Sequence, residues 1–129
     1  MKTLAVLSLM LFLVVGIAYA KDYEVMKKAG EYNVVVKIDK NPPVVGNNNV
    51  SIEVTDASGH HFTDAKVTVE YSMPAMPGMP AMNYKAVAEL KENQYNAKMN
   101  LSVAGSWSIA VKIVRAGKTS TVKFTVDAK

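Results

Sequence analysis

The chain contains no cysteine. This excludes disulfide staples, thiolate metal sites and a cysteine-linked lipid anchor, so any core must be held by apolar packing and backbone pairing alone. Histidine is almost as scarce: His60 and His61 are the only two, and they are adjacent. No acid–base or nucleophile arrangement of specific spacing can be assembled from them, and the chain is not expected to be an enzyme. Blocks of like charge are missing too. The lysines are spread singly, which argues against nucleic-acid binding. No segment of the mature chain repeats its apolar residues with a helical period.

What is present begins with an export signal. Met1-Lys2-Thr3 precedes an apolar run from Leu4 to Ile17, and Ala18-Tyr19-Ala20 stands just before the charged Lys21-Asp22. A basic start, an apolar middle and small residues three and one before the cut define a secretory signal peptide of residues 1–20, cleaved after Ala20. An uncleaved anchor is the competing reading, but the apolar run is shorter than the roughly 20 residues a bilayer span needs. The mature chain, residues 21–129, is of one-domain size, and loss of Lys2 takes its formal charge from +4 to +3. A periplasmic or secreted location without stable membrane insertion is expected.

Short alternating runs separated by turn residues fill the mature chain. A first strand near Tyr23 to Lys28 precedes Ala29-Gly30, and Glu31 to Asp39 then sets Tyr32, Val34, Val36 and Ile38 on one face. After Asn41-Pro42-Pro43 and the polar run Gly46 to Asn49, Val50, Ile52 and Val54 alternate up to a turn at Asp56 to Gly59. Val67, Val69 and Tyr71 form the next inward row. Further rows are Tyr84 to Leu90, Tyr95 to Leu101, Trp107 to Ile113 and Val122 to Val126, the last two joined by a tight hairpin at Ala116-Gly117. The pattern predicts an all-β, immunoglobulin-like antiparallel β-sandwich of seven or eight strands, with a small barrel as the lesser alternative.

One run departs from this pattern. Met73-Pro74-Ala75-Met76-Pro77-Gly78-Met79-Pro80-Ala81-Met82 spaces four methionines three apart, with proline after each of the first three. Three prolines remove backbone donors from both helix and strand, so the run is expected to be a loop carrying four thioethers. Thioether sulfur is a soft ligand that suits Cu(I). Met73, Met76, Met79 and Met82 are therefore the candidate metal ligands, and Cu(I) or Ag(I) the candidate ion.

In a polyproline II helix these residues would share a face but rise about 9 Å per turn, leaving neighbouring sulfurs apart. One ion needs them roughly 4 Å from each other, if Cu–S bonds resemble Zn–S bonds. Pro77-Gly78 offers a remedy as a type II turn that folds Met76 toward Met79. The bland readings are an apolar cap on the sandwich, or a docking loop for a partner without metal. His60 and His61 are expected at the opposite end, one strand away. Trp107 and Met99 read as core, and Met26 has no partner nearby.

The order of Ala29-Gly30-Glu31-Tyr32, Asn41-Pro42-Pro43 before Gly46, the Val67-Thr68-Val69 strand leading into Met73-Pro74-Ala75-Met76-Pro77-Gly78-Met79, and Gly105-Ser106-Trp107 resembles the YtkA-like domain family from about Ala29 to Val126. The resemblance implies an exported β-sandwich, in some members joined to or encoded beside heavy-metal efflux and copper-handling components. A metal efflux or copper-delivery protein is the partner it implies. Val103 departs from the pattern, since the family often places methionine before Ala-Gly-x-Trp. Storage, buffering or handover of copper is the function expected, with an interaction module docking through the same loop as the alternative.

Overall fold

Residues 23–129 are described by the structure, a computed structural model. The expected signal peptide, residues 1–20, lies outside them. Nine strands follow in order: β1 Tyr23–Ala29, β2 Tyr32–Ile38, β3 Gly46–Thr55, β4 Lys66–Met73, β5 Met82–Val87, β6 Glu89–Lys91, β7 Gln94–Leu101, β8 Gly105–Arg115 and β9 Lys118–Ala128. They form two antiparallel sheets, β1-β2-β3-β7-β6 and β5-β4-β8-β9, packed face to face as a sandwich. Alternation places Val34, Val36 and Ile38 of β2, Val50, Ile52 and Val54 of β3, and Trp107, Ile109, Val111 and Ile113 of β8 in the shared core. Burying a valine or isoleucine side chain in this way contributes about 1.5–3 kcal/mol of transfer free energy.

The count of nine exceeds the seven or eight expected because the run from Tyr84 to Leu90 is two strands. β5 pairs with β4 as far as Val87, the Ala88 N–H donates to the Val67 carbonyl at 2.9 Å, and from Glu89 the chain pairs with β7 in the other sheet. Of the row expected inward, Ala86 and Ala88 on either side of the crossing are half-buried, whereas Tyr84 and Leu90 are 43% and 45% exposed. A second difference lies at Gly46 to Asn49, read from the sequence only as a polar run ahead of the strand at Val50. These residues open β3 and pair with Leu101 to Lys98 of β7. Phe124, expected inward, is only half-buried at the edge strand β9, where Tyr23 of β1 stacks on it with ring centroids 6.5 Å apart.

Polar groups caught in the interior are paired. The Tyr95 hydroxyl accepts from the Ala65 N–H at 3.1 Å and donates to the Phe62 carbonyl at 3.0 Å, fixing the approach to β4. At the other end of the sandwich the wholly buried Asn48 binds the segment before β3. Its Nδ2 donates to the carbonyls of Val44 at 2.8 Å and Gly46 at 3.1 Å, and its Oδ1 accepts from the Val44 N–H at 3.0 Å. That segment also joins the C-terminus, with Lys129 N–H donating to Pro43 and Val45 N–H donating to Lys129.

Candidate metal centre at the methionine end

The ten-residue methionine run is a hairpin rather than a free loop. Met73 is the last residue of β4 and Met82 the first of β5, and they face each other across the ladder. Met76 and Met79 face each other nearer the tip, where each donates its backbone N–H to the other's carbonyl, at 2.9 and 2.8 Å. The sequence explains the turn. Proline fixes φ at position 77, and Gly78 holds a φ of +79°, the left-handed value that the second central residue of a type II turn demands.

The two rungs are out of phase. Hydrogen-bonded rungs of an antiparallel ladder recur every second residue. The Ala88-to-Val67 bond sets that phase for β4 and β5, and it includes Met73 opposite Met82. The Met76–Met79 rung lies three residues further on, so the ladder skips a step across 74–75 and 80–81, where Pro74 and Pro80 have no N–H to give. The pairs accordingly differ in environment. Met73 is 2% exposed, Met82 is half-buried against the core, Met79 is half-buried, and Met76 is 45% exposed.

Around the inner pair the packing is tight. A Cβ at Gly105, whose φ is +129°, would lie 3.2 Å from Met73 Cε, so glycine there answers both a backbone and a packing demand. Ser102 Oγ donates to Met82 Sδ at 3.5 Å. Trp107 lies beneath, with no exposed surface; its indole N–H donates to the Val103 carbonyl at 3.0 Å, and its ring meets those of Tyr71 and Tyr84 at centroid distances of 6.1 Å. Trp107 and Met99 are both core residues, as expected. Among the described residues, the loop segments 41–45, 74–81 and 102–104 lie at this end, and none of the three carries an ionisable side chain. Charge begins at its border, with the paired Asp39 and Lys40 and with Lys129.

His60 and His61 sit at the opposite end, in the connection from β3 to β4. The eight residues of β4 separate them from the hairpin by roughly 25 Å. His60 Nδ1 lies 3.4 Å from Asp56 Oδ2, and among the described residues no three His, Asp or Glu side chains converge as a metal site. The turn is instead held by Asp56, whose Oδ1 accepts the Ser58 and His60 N–H groups.

Backbone donation from His60, reinforced by Ser58, holds Asp56 below the usual carboxylate range. The Arg115 side chain does the same for Asp64. At Asp39 slight burial pushes upward but is outweighed by the Asn49 backbone and side-chain donors and by Lys40. A depressed folded value means that the unfolded chain binds protons first as pH falls from about 3.9. The stabilisation is whole above about pH 4 and is lost as pH drops through the folded values. Urea midpoints are expected to fall below about pH 4, and Asp39→Asn to show a smaller acid drop than the parent; an equal drop would remove Asp39 from this account.

The family model described as YtkA-like matches residues 26–112. Among solved structures, the soluble domain of PmoD from Methylocystis sp. strain Rockwell is similar with a TM-score of 0.53 at 10% identity, over 81% of this chain and 96% of that one. At that identity the likeness is one of fold. No curated protein matches the chain. Sandwich, hairpin and family match agree, and the chain belongs to the YtkA-like family.

Proposed function

We propose that the methionine hairpin binds Cu(I) or Ag(I) through thioethers, and that the exported protein stores, buffers or hands over copper in the periplasm or outside the cell. The observation that carries this reading is the Met76–Met79 rung, in which two soft donors are set opposite each other on a turn stiffened by three prolines. Opposed residues of a hydrogen-bonded rung have Cα atoms about 5.5 Å apart, close enough for two flexible thioethers to share one ion. Proline lowers the entropy lost when the site orders on binding. Met82 is the next donor inward, and Met73 supports the hairpin from within the core. A bound ion would supply only its affinity for soft donors; a thioether set favours reduced copper and fits retention better than redox turnover.

The test is a titration of the mature protein with Cu(I) against a chromophoric chelator, anaerobically and under reducing conditions, beside the Met76→Leu and Met79→Leu double variant. Leucine keeps bulk and apolarity while removing sulfur. The parent is expected to take up metal stoichiometrically, and the variant to bind about a hundredfold more weakly, a loss of about 2.8 kcal/mol. Absence of competition by the parent would overturn the proposal. The absence of ionisable side chains from 74–81 favours a second reading, in which the hairpin docks on an apolar face of a metal efflux or copper-delivery protein and metal plays no part. The same double leucine variant would leave such docking largely intact.

A further inference from the structure

We infer that Met76 and Met79 form an oxidant-controlled latch on this site: conversion of their thioethers to sulfoxides releases the soft ion, and reduction restores binding. The inference rests on the Cu(I)/Ag(I) reading and adds its regulation. With no cysteine anywhere in the chain, thioethers are the soft nucleophiles that a peroxide meets. The fold ranks them. Met99 and Met73 are closed off in the core, and Met82 is half-buried with a hydroxyl already donating to its sulfur. Among the described residues, Met26 on β1 and Met76 at the hairpin tip are the open methionines, 71% and 45% exposed, and Met79 shares the rung with Met76.

In the oxidation a sulfur lone pair attacks one oxygen of hydrogen peroxide. The O–O bond breaks, the sulfoxide S–O bond forms, and the other oxygen leaves as water after proton transfer; sulfur loses two electrons and peroxide gains them. The reverse step draws on an external dithiol reductase, which returns the thioether and water and becomes a disulfide. A sulfoxide presents a hard oxygen in place of the donated sulfur pair, a mismatch for Cu(I) or Ag(I).

Two features confine the change to the donor atoms. The Met76–Met79 rung is made of backbone bonds that oxidation leaves untouched. The new oxygen at Met76 points to solvent from an exposed residue, whereas at Met73 or Met99 it would be a buried polar atom without a partner. A bound ion takes one of the two sulfur lone pairs and makes the other less nucleophilic, so metal should protect the latch and leave Met26 unprotected. Met26 is thus an internal control for exposure alone.

The experiment treats the mature protein with graded hydrogen peroxide, with and without Ag(I), and follows each methionine by peptide mass spectrometry. Ag(I) affinity is then measured before oxidation, after it, and after treatment with a methionine sulfoxide reductase. Met26 and Met76 are expected to oxidise first, Met79 next and Met73 and Met99 last. Ag(I) should slow oxidation of Met76 and Met79 severalfold without affecting Met26. Ag(I) binding should disappear with the Met76 and Met79 sulfoxides and return on reduction, also in a Met26→Leu variant. Retention of Ag(I) by protein oxidised at both positions, or loss that reduction does not restore, would overturn the latch. Failure of the untreated protein to bind Ag(I) would instead overturn the metal reading beneath it.

Discussion

Trp107→Ala is expected to cost about 3–5 kcal/mol, the range for removing a large aromatic from a packed core. Domains of this size have about 5–15 kcal/mol in all, so the variant should be marginal or unfolded at room temperature. The indole has no exposed surface, donates to the Val103 carbonyl and lies against Tyr71 and Tyr84. Alanine therefore leaves both a cavity and an unpaired carbonyl under the loops that close the methionine end. Trp107→Phe keeps a ring but not the donor and should fall between parent and alanine. Denaturant titration by far-ultraviolet circular dichroism is the measurement, since the variant loses the only tryptophan. A cost below about 1 kcal/mol would mean that this end is not packed as described.

Asn48→Ala is expected to cost about 3 kcal/mol or more, because one side chain satisfies several backbone groups at once. Its removal orphans the Val44 N–H and the carbonyls of Val44 and Gly46, and each buried group left unpaired costs about 1–3 kcal/mol unless water reaches it. Asn48→Asp is the informative companion. The carboxylate can still accept from Val44, but it faces two carbonyls that need a donor. At neutral pH it should be no better than alanine, and acid should recover part of the loss by protonating it. An Asn48→Ala variant with parental stability would show that the segment before β3 holds itself.

Both residues bear on what can be read from a sequence of this kind. Trp107 was legible as core because it heads an unbroken alternation with Ile109, Val111 and Ile113. Asn48 was not: an asparagine between asparagines reads as a turn, and only the pairing of Gly46 to Asn49 with β7 turns it inward. Tyr95 shows the same limit, since alternation marks its ring as buried but says nothing of the two loop groups its hydroxyl ties.

At the candidate site the Pro77-Gly78 turn could be read directly, because proline and glycine each restrict φ in a known way. That the strand register carries on to Met73 was readable too. Ser102 gave no signal, since its contact with Met82 depends on two sheets meeting. The division of four evenly spaced methionines into an inner and an outer pair follows from the Pro77-Gly78 turn, about which 73/82 and 76/79 are symmetric. Their unequal burial was hidden, because it depends on where β4 and β5 leave the core.

The crossing at Ala88 has a mechanical consequence for the hairpin. β5 and β6 are one length of chain, tied at its first half to β4 and at its second half to β7. Tension applied at the tip, by a partner pulling on Met76 or by an ion drawing the thioethers together, is therefore shared between two layers instead of peeling one edge strand. The hairpin behaves as a strap buckled to both plates of the sandwich, and a displacement of its tip reaches β7 through continuous backbone.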